Sequence, residues 1–190
     1  VSSCQAGFGL IELMVSITIM AIVSSIILFR HEAFNSATLL RSQAYEVALR
    51  IREVQFSSVS ATGVSGDFNS VNGVFFDTAA TEDGSYKIFT DADSDYFYDS
   101  NEGDGPAGVL DKRFEISEIR DDGGTTYPDI VIDFKRPNFD AIFYQGANTP
   151  VSTTFIEIDV ARRGAVGVGC GEIRTVEITK TGQISVKTCP

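Results

Sequence analysis

Between Asp91 and Glu102 the chain reads DADSDYFYDSNE, with carboxylates at Asp91, Asp93, Asp95, Asp99 and Glu102, positions 1, 3, 5, 9 and 12 of the run, and the Phe97 carbonyl at position 7. This is the spacing of an EF-hand calcium loop. A hard cation takes six to eight oxygens, and acidic side chains alternating along a curled segment converge on one point. Position 6 holds Tyr96, where a glycine normally permits the sharp turn, and SYKIFT before the loop reads as a strand rather than a helix. Two readings stay open: a structural calcium site that rigidifies five mutually repelling carboxylates, and a solvated acidic hairpin tip.

Other chemistry finds little support. The single histidine, His31, lies between Arg30 and Glu32 at the end of an apolar run, where an interfacial role is the expectation. No zinc spacing, phosphate-binding loop or nucleophile elbow is present. The acidic loop has no flanking cluster of Lys or Arg to serve phosphoryl chemistry, so no enzyme is expected. Of the three cysteines, Cys170 and Cys189 are separated by 18 residues and Cys4 stands alone. Removal of the first residues would leave an even pair, Cys170 and Cys189, able to close one disulfide in an oxidising compartment. A loop of that size stabilises by about 3 kcal/mol in the chain-entropy model. Two buried free thiols are the other reading.

The 190 residues carry a net charge of −11, and Gly63 to Lys135 holds 17 of the 26 acidic residues but only 5 of the 15 basic ones. Such a surface repels phosphate backbones, making nucleic acid an unlikely partner and a cation a better one.

From Phe8 to Phe29 the sequence FGLIELMVSITIMAIVSSIILF has one charged residue, Glu12, in 22 positions. A helix of that length measures about 33 Å, close to the bilayer hydrocarbon core of about 30 Å. A secretory signal would have a shorter apolar core, a basic start and a small-residue cleavage site after it. The run is therefore expected to be retained. A carboxylate inside it needs either the helix N-terminus and headgroups or a partner on another chain.

GFGLIELM resembles the class III signal of type IV pilins and type II secretion pseudopilins. The resemblance implies a leader, residues 1–7, that a prepilin peptidase removes after Gly7, methylating Phe8 as the new N-terminus. It assigns Glu12 to pairing with the terminal amine of a neighbouring subunit during assembly. Orientation is also taken from the resemblance, because VSSCQAG has no basic residue and the first charge after the span is Arg30.

Helical spacing continues beyond Phe29. Ala37, Leu40, Ala44, Val47, Ile51 and Val54 recur at steps of three and four, and no Pro or Gly interrupts Leu10 to Ala61. One helix of about 50 residues, near 75 Å, is predicted, with Gly63 and Gly66 ending it. Its first half, residues 8–29, is the transmembrane and assembly segment. Its second half, 30–62, is amphipathic and buries its stripe on the head, 63–190.

In the head the helical period gives way to short runs rich in Val, Ile, Phe, Tyr and Thr: GVFFD, SYKIFTD, RFEISEI, DIVIDF, DAIFYQ, TTFIEIDVA, EIRTVEIT and QISVKT. These predict an antiparallel meander, its last hairpin turning at Lys180, Thr181 and Gly182. The fold class expected is α+β and pilin-like. The head is similar to H-type pseudopilins and related minor pilins, which place two small β-sheets after the helix. Gln183 and Ser185 stand where DNA-binding relatives carry arginines, so DNA uptake is not implied.

The resemblance implies a structural subunit of a type IV pilus-like surface filament, with a secretion pseudopilin or a minor or tip pilin as the alternatives. Its partners would be identical or related subunits, the peptidase, the inner-membrane assembly machinery and, before assembly, the membrane. It would reside in the inner membrane first, then in a surface filament or periplasmic pseudopilus. No cofactor is required; calcium is the one candidate ligand.

Overall fold

The computed structural model describes residues 9–60, 71–79, 86–91, 95–98, 108, 110–134, 138–146, 149–165 and 171–187, with the side chains of 29–35 and 71 left aside. Two compact units emerge, Val1–Thr38 and Leu39–Pro190. A single helix, α1 (Leu10–Val59), contributes to both. The absence of Pro and Gly from this stretch permits 50 consecutive helical residues.

The first unit is the apolar part of α1. Leu10–Leu28 has a mean hydropathy of 2.3 and none of it is buried. A helix apolar on every side has no face suited to water, so it belongs in lipid or against other apolar helices.

In the second unit the predicted stripe is the core of the head. Leu40, Ala44, Val47 and Ile51 are fully buried and Val54 nearly so. Among the described residues the unit also holds nine strands: β1 (Val71–Asp77), β2 (Tyr86–Asp91), β3 (Phe114–Asp121), β4 (Asp129–Phe134), β5 (Ala141–Gln145), β6 (Thr149–Pro150), β7 (Phe155–Arg162), β8 (Ile173–Thr179) and β9 (Ile184–Val186). Every pairing is antiparallel, but the strands do not form one meander. One sheet runs β2-β1-β4-β5-β6 and the other β3-β7-β8-β9, because β3 leaves its sequence neighbours to pair with β7. Inner residues of both sheets, such as Val74, Ile132, Phe143, Ile119, Ile158 and Ile178, join the helix stripe in one core.

Two local devices make this possible. The β3–β7 register shifts between Ile116 and Glu118, a bulge that absorbs Ser117. Ile116 and Ile119 can therefore both face inward although they stand an odd three positions apart, while Glu118 and Arg120 face out. The second device is the β8–β9 hairpin, with Gly182 at φ 79°. The Gln55 side-chain amide donates to the carbonyls of Gly182 at 2.8 Å and Phe139 at 3.1 Å, and Arg52 donates to Ile184 at 2.8 Å. The turn thus docks directly on α1.

The five-stranded sheet is buried on its second face as well. Phe89 and Val131, which alternate with inner residues of β2 and β4, are fully buried yet lie outside the main core. Tyr98 covers that face: it stacks on Phe75 with centroids 5.5 Å apart, meets Phe89 edge-on at 5.4 Å, and accepts a hydrogen bond from Lys87 at 3.2 Å.

Candidate assembly helix and acidic loop

At the start of α1 the amides of Glu12 and Leu13 donate to the Gly9 carbonyl at 3.0 and 3.2 Å. Glu12 lies in the first turn, where the helix dipole favours a carboxylate. Its side chain is exposed and makes no ion pair among the described residues. The polar residues that follow serve the helix itself: Ser16 and Thr18 donate their hydroxyls to the carbonyls of Glu12 and Met14 at 2.7 and 2.8 Å. A hydroxyl bonded back one turn can enter an apolar surrounding without an unmet donor. Glu12 is the one charged group in this stretch, and the helix supplies it no counter-ion. Gly7 and Phe8 lie outside the described residues.

Five residues of the acidic loop, 91 and 95–98, are described. Asp91, at the end of β2, is fully buried, and its carboxylate accepts the backbone amides of Asp95 at 3.2 Å and Tyr96 at 3.1 Å. Asp95 in turn accepts the amide of Phe97 at 2.8 Å. Tyr96 adopts φ 62°, the left-handed conformation that glycine supplies at position 6 of an EF-hand loop. The substitution that weakened the sequence match therefore leaves the turn intact. Stacking of Tyr96 on Tyr144, with centroids 4.8 Å apart and planes 15° from parallel, helps to hold this uncommon backbone.

A second carboxylate lies nearby that no local spacing announces. Asp133 on β4 is also fully buried and lies opposite Gly73 of β1. A Cβ on Gly73 would fall 2.1 Å from Asp133 Oδ1 and 2.7 Å from the Phe89 ring, so only glycine leaves room for both. Burial pushes the Tyr144 phenol up, and Tyr96, Asp133 and Asp91 add to the shift. All four groups therefore share one neighbourhood. Asp93, Asp99 and Glu102 lie outside the described residues, as do Cys4, Cys170 and Cys189. Among the described residues no three acidic, His or Cys side chains form a ready metal cluster.

The four-stranded sheet carries a charged network on its outer face. Arg120 donates to Glu157 at 2.7 Å and also engages Asp159 and Glu118. Lys187 pairs with Glu157 and, at 2.7 Å, with Glu177. Burial opposes ionisation of Glu157, but its bonds from Lys187 and Arg120 prevail and hold it below the usual carboxylate range. At the β3 end, Asp121 accepts the amides of Gly123 and Thr125 and the Tyr127 hydroxyl. Asp122 accepts from Thr153 and Thr154. Both carboxyls are held low, chiefly by those hydroxyl bonds. With their oxygens so occupied, these aspartates act as turn fasteners rather than ligands.

Residues 2–28 match the family model described as the prokaryotic N-terminal methylation motif. That motif is the class III signal of type IV pilins and pseudopilins. No curated protein and no solved structure matches the chain.

Proposed function

We propose that this chain, which carries the signal across its exposed apolar helix segment and follows it with an antiparallel β head, is a structural subunit of a type IV pilus-like surface filament. The observation that carries the reading is Leu10–Leu28, an apolar segment unburied along its whole length that lies within the residues matching the methylation motif. Held in lipid, it anchors the newly made subunit; withdrawn and packed among the same segments of other copies, it becomes the filament's adhesive core. Glu12, whose charge the helix leaves unmet, then pairs with the terminal amine of Phe8 on a neighbour. The head is structural and performs no reaction.

Two measurements test this. Mass spectrometry of the mature chain should find Phe8 first and methylated, and filaments sheared from cells should contain the protein. Glu12→Ala should stall polymerisation while membrane insertion continues. A subunit that remains a monomer in the bilayer with Gly7 still attached overturns the proposal.

A second reading concerns the acidic loop. Its support is the Tyr96 backbone, which takes the left-handed turn of a calcium loop, and the buried Asp91 at the first ligand position. We propose that Asp91, Asp93, Asp95, Asp99 and Glu102, with the Phe97 carbonyl, bind a structural calcium ion. A chelator should then lower the melting temperature of the protein, and added calcium should restore it. An unchanged melt rejects the site.

A further inference from the structure

Four large apolar side chains of the second unit are exposed among the described residues: Tyr45 at 47%, Leu49 at 66%, Phe56 at 68% and Phe139 at 49%. Three of them sit on α1. At 3.6 residues per turn, positions 45, 49 and 56 fall within about 40° of arc, and they run about 16 Å along the axis. This row lies opposite the buried stripe of Leu40, Ala44, Val47 and Ile51. The head's own core therefore gives no reason for it, and three large apolar residues in register are unlike the scattered exposure normal for a surface.

The rim of the row indicates its occupant. On one flank, Arg41 stands over the Tyr45 ring at 5.6 Å and makes no ion pair among the described residues. On the other flank lie Glu46 and Glu53, the latter already paired with Arg50 at 2.9 Å. An anionic membrane presents one sign to both flanks alike, whereas a folded protein segment can set carboxylates over Arg41 and turn uncharged or basic residues to Glu46 and Glu53. Beside the row Arg50 is paired with Glu53 and Arg52 is bonded to the Ile184 carbonyl, which leaves Arg41, and the chain itself supplies an acidic counterpart, since Gly63 to Lys135 holds 17 of its 26 acidic residues. The row also continues a helix whose first half must be covered by other copies under the function proposed above, on which this inference rests.

We propose that Arg41, Tyr45, Leu49 and Phe56 form a docking surface for the acidic segment of a second copy of this chain. Helix back meets acidic head, so the contact joins two different surfaces and can repeat from copy to copy. Three side chains cover far less than the roughly 800 Å² per partner of a stable interface. The surface therefore orients copies that the apolar halves of α1 already hold together.

The test uses the full chain in its membrane. A benzophenone photoprobe in place of Leu49 should give an adduct between two copies, with the attached peptide from residues 63–135. Arg41→Glu in the same chain should reduce that adduct severalfold. The double variant Leu49→Ala, Phe56→Ala should lower filament yield about tenfold or more at an unchanged melting temperature. Adducts to lipid, to a different protein, or between two α1 helices overturn the docking surface, as does wild-type filament yield from the double variant. If the unmodified chain forms no filaments, the proposed function fails first and this inference falls with it; filaments with no Leu49 adduct refute this inference alone.

Discussion

Ile51 and Leu49 are two residues apart on α1, and the structure gives them opposite roles. Ile51 is fully buried among both sheets, whereas Leu49 is 66% exposed. Truncating a buried isoleucine to alanine removes its transfer free energy and leaves a cavity, together about 2–5 kcal/mol. In a unit of this size each kcal/mol moves the melting temperature by about 2–4 °C, so Ile51→Ala should lower it by about 4–20 °C. Leu49→Ala changes neither core contacts nor helix propensity by much, and should stay within about 0.5 kcal/mol. Thermal unfolding of the full chain in detergent, followed by near-ultraviolet dichroism of the head tyrosines, separates the two. Equal shifts from both variants would refute the assignment of the core face. So would a shift under 1 °C from Ile51→Ala, which would mean that the helix is not part of the head's core.

Gly182 and Gly124 share φ 79°, but a Cβ on Gly182 would fall 1.8 Å from the Phe139 carbonyl oxygen, while Gly124 has nothing within 4 Å. Gly124→Ala should therefore cost only about 1–2 kcal/mol of backbone strain, and Gly182→Ala should exceed it by about 1–3 kcal/mol of overpacking; comparable melts from both would contradict the docking of the hairpin on α1. The pH response follows from groups shifted in opposite directions. Asp121, Asp122 and Glu157 are held low, so their stabilisation is complete above their unfolded values near 4 and is lost as pH falls through the lower folded ones. Burial pushes the Tyr86 hydroxyl up to about 12, with Glu46 adding to it, so its contribution is full below about 10 and fades as pH rises through the folded value. Melting temperature should be level between these limits; an acid transition beginning well above pH 5 would refute the carboxylate assignments.

How much of this was legible in the sequence depended on range. The helix was legible because its signals are local: no Pro or Gly, and apolar steps of three and four, gave a segment to Ala61 where α1 ends at Val59. The eight apolar runs all became strands, and the hairpin at Gly182 formed where its turn residues stood. Only the two-residue β6, ending in Pro150, had no periodic signal. The sheet partition was not legible, because β3 pairs with β7 some forty residues on, and a bulge reverses its inward and outward sides midway. The Arg120–Glu157 pair, 37 residues apart, is hidden for the same reason. In the acidic loop the spacing was readable, but the left-handed Tyr96 and the buried Asp133 depend on a tyrosine stack and on a glycine in a neighbouring strand. Both are tertiary facts.

Charge poses the remaining question for a polymer of such subunits, because a head with 17 acidic and 5 basic residues between Gly63 and Lys135 repels its own copies. Attraction has to come from the apolar half of α1, leaving charge to set how the heads meet. Arg41→Glu would place a like charge at the proposed contact without removing apolar area, and Leu49→Ala with Phe56→Ala would do the reverse. The two lesions differ in their response to salt. Exposed charges are screened beyond about 10 Å at 0.1 M and about 3 Å at 1 M, so raising sodium chloride should restore filament yield to Arg41→Glu. The apolar double variant has no repulsion to screen and should stay defective. Rescue of both to the same degree, or of neither, would mean that Arg41 does not face the acidic segment of a neighbour.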